Sequence, residues 1–214
     1  YAGMEGGNAL AEVLLGEVNP SGKLPESFPY SHMDCSAHCV GEFGEEKLLH
    51  YREGIYVGYR YYEKQDVPVQ YCFGHGLSYT EFAYHDLTIE KQEDAAEFYV
   101  NVSCIVKNTG NRVGKEIVQL YVSDKTGKTE KPLKELKGYV KVELAPGESK
   151  RVNIRLSKKD FAYYDETAGD FAVDAGEYGI LVGASSQDVR LMGSVQIGGE
   201  DRKKNGCTNP CFLL

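Results

Sequence analysis

Several groups of residues in this sequence carry side chains capable of chemistry. Glu5 stands between Gly3 and Gly6-Gly7 at the head of an apolar-periodic stretch. A carboxylate at a helix end beside a cleft could serve as acid or base; it is also simply the charge a helix N-terminus favours. The same glycines lack the Lys-Ser/Thr pair of a phosphate loop. His32, Cys35, His38 and Cys39 are zinc-type donors, but their spacing fits no common finger and no second ligand pair follows, so an irregular loop and no metal are expected. Glu53 and Arg60, seven residues apart, could hydrogen-bond a sugar as charged groups or form an ion pair between two structural parts. His75, in Phe73-Gly-His-Gly76, could reach an outer sugar subsite or be a structural histidine in a glycine turn. Tyr51, Tyr56, Tyr59, Tyr61 and Tyr62 could form a platform on which pyranose rings stack, or an interface core whose hydroxyls reach polar partners.

The chain that must position these groups has 214 residues, of which 42% are hydrophobic and 26% charged, enough for one full domain and part of another. Its net charge of −8 argues against nucleic acid and against anionic membrane surfaces, both of which select basic patches. No apolar run reaches membrane-spanning length. Of the six cysteines, Cys104 falls in phase with apolar neighbours and reads as a buried thiol, while Cys207 and Cys211 could pair or form a polar tail. Asn101-Val-Ser103 is a glycosylation sequon, meaningful only in a secreting eukaryotic host. No cofactor is expected.

The sequence opens on a glycine turn and a helix over residues 1–15, with Leu10, Val13 and Leu14 on one face, as though entered in mid-fold. Gly22 to Phe28 reads as a short strand, 30–50 as a loop, and 51–62 as a strand-rich aromatic segment. Gly74 and Gly76 mark a turn or a close backbone approach. From residue 82 the texture becomes strand and turn. Phe98, Val100, Val102, Cys104 and Val106 alternate with polar neighbours up to Asn108-Thr-Gly-Asn111. Residues 117–122 are apolar on both sides, as in a central strand. Further strands are expected over 136–144, 152–156, 161–164, 171–173, 178–182 and 189–197, with Ala145-Pro-Gly147 as a turn. About seven strands at this spacing point to an immunoglobulin- or fibronectin-III-like sandwich. The expected class is therefore mainly β, a sandwich over 81–197 preceded by an incomplete α/β segment over 1–80 and followed by an aperiodic tail over 198–214.

A series of motifs, running from Glu5-Gly-Gly-Asn-Ala-Leu10 through Phe73-Gly-His-Gly76 to Pro146-Gly-Glu-Ser-Lys150, makes the sequence resemble glycoside hydrolase family 3. Glu5-Gly-Gly-Asn-Ala-Leu with Val18-Asn-Pro-Ser-Gly-Lys-Leu-Pro25 resembles the end of that family's α/β sandwich domain. Glu53-Gly-Ile-Tyr-Val-Gly-Tyr-Arg-Tyr-Tyr62 and Phe73-Gly-His-Gly-Leu-Ser-Tyr-Thr80 resemble the link onward. Lys107-Asn-Thr-Gly110, Gly114 to Val122, Lys134 to Gly138 and Pro146-Gly-Glu-Ser-Lys150 resemble its fibronectin-III-like domain. Departures are His75 where the family usually has Tyr, Cys72 where it has Pro, and Phe171 where a Trp is common. The resemblance implies a retaining exo-β-glycosidase whose two carboxylates, nucleophile and acid/base, lie on parts that precede Tyr1. On that reading this chain holds no catalytic residue. It is an accessory portion whose partners are the barrel and α/β domains, and through them a β-glucoside or β-xyloside. The other reading is a free-standing carbohydrate-binding or adhesion module. Residues 1–80 separate the two, because an independent module has no need of a broken α/β half-domain. Leu10, Val13, Leu14 and Phe28 are expected to be exposed as an apolar patch.

Overall fold

The computed structural model describes residues 2–39, 50–93 and 98–198; the calls on Tyr1, on 40–49, on Cys207 and Cys211 and on nearly all of the tail lie outside them. Two sheets form the core. One has the order β11(Val189–Ile197), β10(Gly176–Gly183), β5(Gly114–Asp124), β6(Glu135–Leu144); the other has β3(Phe82–Glu93), β4(Phe98–Asn108), β7(Ser149–Ser157). All pairings within them are antiparallel. The sheets face one another with β3 against β11 and β6 against β7 at the two edges.

Alternation fills the space between them. Val100, Val102, Cys104 and Val106 of β4 meet Val118, Leu120 and Val122 of β5 and Tyr178, Ile180 and Val182 of β10, all buried. Cys104 is a buried thiol, and burial pushes its pKa up to about 11. The short hairpin β8(Tyr163–Asp165) and β9(Asp170–Ala172) sets Tyr164 opposite Phe171.

The first strand of the sandwich, β3, carries no clean alternation and is not among the strands expected from sequence. Asp86 sits at φ 56° and the register slips between His85 and Thr88. A bulge there breaks the period, as edge strands tolerate.

Before the sandwich, α1(Gly6–Leu15) forms as expected and ends at Gly16 in the left-handed region. Two readings change. Gly22 to Phe28 is not a strand: only β1(Phe28–Pro29) pairs, with β2(Val69–Tyr71), while Leu24 exchanges two backbone hydrogen bonds with Gly74 and His75. Nor is 51–62 strand-like. Its second half is the helix α3(Tyr59–Lys64), entered through Gly58 at φ 57°. Tyrosine's preference for strands reflects packing on a half-buried surface rather than a backbone constraint, and here Tyr61 and Tyr62 are buried from a helix. Within the expected 30–50 loop lie a 3₁₀ turn, His32–Asp34, capped by Ser31, and the single-turn helix α2(Ser36–Cys39).

Two polar clusters lock the turns. Asn108 is fully buried at the end of β4. Its Oδ1 accepts from the Thr80 hydroxyl at 2.6 Å and the Gly110 N–H at 3.1 Å, and its Nδ2 donates to the carbonyls of Arg112 at 2.7 Å and Leu144 at 3.0 Å. At the other end, the Lys131 ammonium lies between the carboxylates of Asp124 and Asp174 and over the Tyr163 ring. Burial alone would raise the pKa of Asp124, but Lys131 and Thr126 together hold it below the usual value.

Replacing Asn108 with Leu strands several buried donors and acceptors and should cost about 3 kcal/mol in urea unfolding. Asp124 contributes stability that is complete above its ordinary pKa and is lost as pH falls below about 4. The urea midpoint should therefore drop on acidification, and drop less in Lys131→Met, which has already lost the pairing.

Candidate functional site

The sandwich does not present a bare outer face. Gln119 and Tyr121 point away from the core side chains of β5, yet both are buried, because residues 58–80 cover them. Tyr59 stacks on Phe73 at 4.7 Å between ring centroids and meets Tyr121 edge-on at 6.1 Å. Its hydroxyl accepts from the Leu136 N–H at 2.9 Å. Gln119 Nε2 donates to the carbonyls of Gly74 at 3.1 Å and Ala184 at 2.7 Å, while its Oε1 accepts from the Tyr121 hydroxyl at 2.6 Å. Gly74 stands at φ 79°, and a Cβ there would lie 2.2 Å from Gln119 Oε1. The close approach expected of this glycine is thus real on both counts.

Asn19 ties the first turn down in the same way. It donates to the Val113 carbonyl at 2.9 Å and accepts from the Ser78 hydroxyl and the Tyr79 N–H. Lys23 pairs with the buried Glu116 at 3.0 Å. That pair edges a cavity of about 390 Å³ shared with Gly76, Thr80 and Arg190. Arg190 holds Asp188 by a charged hydrogen bond, which keeps the Asp188 carboxyl below its ordinary range despite burial, and donates to the Phe82 carbonyl at 2.7 Å. Beneath it the Tyr84 hydroxyl is buried without a partner among the described residues.

The sequence-level candidates do not converge. Arg60, on α3, lies 3.5 Å from Glu135 of β6, an ion pair across the two structural parts. It lines a groove of about 690 Å³ bounded by α3, the 129–132 loop and the β8 hairpin. Glu53 lies in the turn before α3 and accepts the Tyr56 N–H with its carbonyl. His75 is half-buried, with its ring 5.1 Å from Tyr71 and its carbonyl bonded to Leu24. Glu5 stands at the N-cap position of α1 without a side-chain bond to the helix backbone, and its carboxylate accepts from the Asn8 amide at 2.6 Å. Of the tyrosines, Tyr61 and Tyr62 are buried and Tyr56 and Tyr59 half-buried, whereas Tyr51 is 80% exposed. The thiol of Cys35 receives the Tyr62 hydroxyl at 3.7 Å, and Cys39 donates to the Met33 carbonyl at 3.1 Å. Tyr61 is pushed up to about 12, first by its hydrogen bond to Cys39 and then by burial. Among the described residues no three metal-ligating side chains converge.

Sequence reasoning missed Gln119, although a polar residue inside a strand apolar on both sides was a signal for it. It missed Glu135, Lys137 and Tyr164 in the groove, which no local pattern marks. Of the expected apolar patch, Leu10, Leu14 and Phe28 are exposed, while Val13 is half-buried and its carbonyl accepts the Tyr79 hydroxyl.

Residues 1–79 match the glycosyl hydrolase family 3 C-terminal domain, and residues 116–186 match the fibronectin type III-like domain. The thermostable beta-glucosidase B of Acetivibrio thermocellus is 48% identical over 191 residues, which is 89% of this chain and 25% of that protein. Among solved structures, the GH3 beta-glucosidase of Bifidobacterium adolescentis superposes with a TM-score of 0.85 at 39% identity, over 91% of this chain and 28% of that one. The beta-glucosidase of Kluyveromyces marxianus in complex with glucose gives 0.81 at 43%, over 91% and 23%. The chain spans about a quarter of the length of these relatives. With both domain models in the expected order on a mainly β fold, the chain belongs to glycoside hydrolase family 3 and corresponds to the C-terminal region of the β-glucosidases it matches.

Proposed function

We propose that this chain is the accessory portion of a retaining exo-β-glycosidase of β-glucosidase type, a buttress for active-site domains rather than a source of catalytic groups. The observation that carries the reading is the polar seam between residues 19–80 and the sandwich. Asn19, Lys23 and Gln119 fix irregular backbone by bonds that a greasy contact would not orient. Such a seam positions whatever packs on the other side of the N-terminal layer. That layer offers α1, whose Leu10, Leu14 and Leu15 are all more than half exposed, and no residue of α1 is buried. An unpartnered apolar helix face of this kind marks an interface, and the barrel and α/β domains are the partners proposed for it.

The two carboxylates of a retaining mechanism then belong to those partner domains, and a β-glucoside or β-xyloside reaches the protein through them. Arg60, Glu53 and His75 remain candidate sugar contacts in the assembled enzyme. The charges of the half-buried Glu53 and of the partly exposed, Glu135-paired Arg60 suit hydroxyl groups. The division into 1–80, 81–197 and 198–214 is part of the same proposal.

The purified 214-residue chain should not hydrolyse chromogenic β-glucosides or β-xylosides, and turnover abolished by Glu5→Gln or Glu53→Gln would sink the proposal. Grafted in place of the matching quarter of the Acetivibrio enzyme, it should restore the β-glucosidase activity that deletion removes. The graft carrying Gly74→Ala should lose stability by about 2 kcal/mol or more, from positive φ and the clash with Gln119 together. In hydrogen exchange on the isolated chain, α1 amides should exchange at least about tenfold faster than those of β5.

A further inference from the structure

The groove beside Arg60 has the construction of a ligand site in its own right, whatever the catalytic domains do. We propose that it binds a short neutral oligosaccharide of pyranose units. Its volume of about 690 Å³ falls in the roughly 300–1,000 Å³ range of small-ligand sites.

Apart from the exposed Glu166 at its rim, its charges are answered on the protein itself. Glu135 sits between Arg60 at 3.5 Å and Lys137 at 3.3 Å. Glu130 is met by Lys64 at 3.3 Å and the Tyr56 hydroxyl at 3.1 Å. Lys131 is held by Asp124 and Asp174 beneath the floor. Asp165 accepts the N–H groups of Thr167 and Ala168. What remains is a wall of fixed donors and acceptors with no large surplus of either charge. An anionic ligand would find no unanswered cation there, whereas the hydroxyls of an uncharged sugar can bond to both members of each pair.

The groove also has an aromatic side. Tyr163 is committed, with Lys131 4.1 Å from its ring centroid and its hydroxyl donating to Asp174 at 3.5 Å. Tyr164, next along β8, points the other way, is 56% exposed, and touches Phe171 edge-on at 5.6 Å. Phe171 is 68% exposed and extends the apolar strip beyond the groove. An exposed ring held in place by its neighbour, beside fixed charged hydrogen-bonding groups, suits the C–H face and the hydroxyl edge of a pyranose together.

The test is a titration of the ¹⁵N-labelled 214-residue chain with cellotriose, laminaritriose and, as a charged probe, trigalacturonate. At least one neutral trisaccharide should give saturable shifts at residues 163–166 and around Arg60. Tyr164→Ala should weaken that binding by about tenfold or more, while Tyr164→Phe stays within about twofold. Tyr164 is exposed, so unchanged resonances in β4 and β5 will show that both variants are folded. The proposal is overturned if neither neutral sugar shifts these residues, if Tyr164→Ala binds as well as the parent chain, or if trigalacturonate binds there as tightly as the neutral sugars.

Discussion

The linker that leads into the sandwich is pinned to the middle of the sheet by one carboxamide. Residues 72–80 run over the sheet with little secondary structure of their own, so their buried carbonyls need donors from elsewhere. Gln119 supplies one to Gly74 and a second to Ala184 in the turn after β10, and its own oxygen is satisfied by Tyr121. Three segments distant in sequence are thereby held at one point in the middle of β5. The glycine opposite is obligatory twice over, because its backbone is left-handed and its missing Cβ makes room for the amide. An aliphatic residue at 119 would cover the same area but would leave two buried carbonyls without partners.

Asn108 performs the matching task at the end of β4, where a single side chain ties the incoming linker at Thr80 to the turn after β4 and to the last residue of β6. Together the two amides make the sandwich and its N-terminal cover mutually dependent. The Lys23–Glu116 pair adds a charge constraint at the rim: it costs desolvation, and it disfavours any register that would leave Glu116 buried alone.

The sandwich was legible because its strands obey period two. Val100 to Val106 announce β4, and the doubly apolar run at 117–122 announces a central strand. Where the period failed, so did the reading. The bulge at Asp86 hid β3, and the aromatic run at 51–62 looked like a strand because residue type stands in for packing, while the left-handed entry at Gly58 that starts α3 has no signature beyond a glycine. The candidate site was legible only in part. Arg60 could be picked out as a charge in an aromatic setting. Its partner Glu135 lies seventy-five residues away on a strand whose pairing fixes the encounter, and no local pattern encodes that distance. Family likeness pointed to the segments but not to the side chains that join them.

The seam described by Asn19, Lys23 and Gln119 has a consequence for how such proteins can be recombined. The change in texture at residue 82 looks like the natural place to splice one protein's sandwich onto another's catalytic half. A cut there would separate Thr80 from Asn108, Gly74 from Gln119 and Lys23 from Glu116, three contacts that must match across the join. A crossover placed ahead of Asn19 keeps each pair within one parent. The unit that shuffles intact is thus longer than the unit that looks like a domain, and its border lies inside the turn that follows α1.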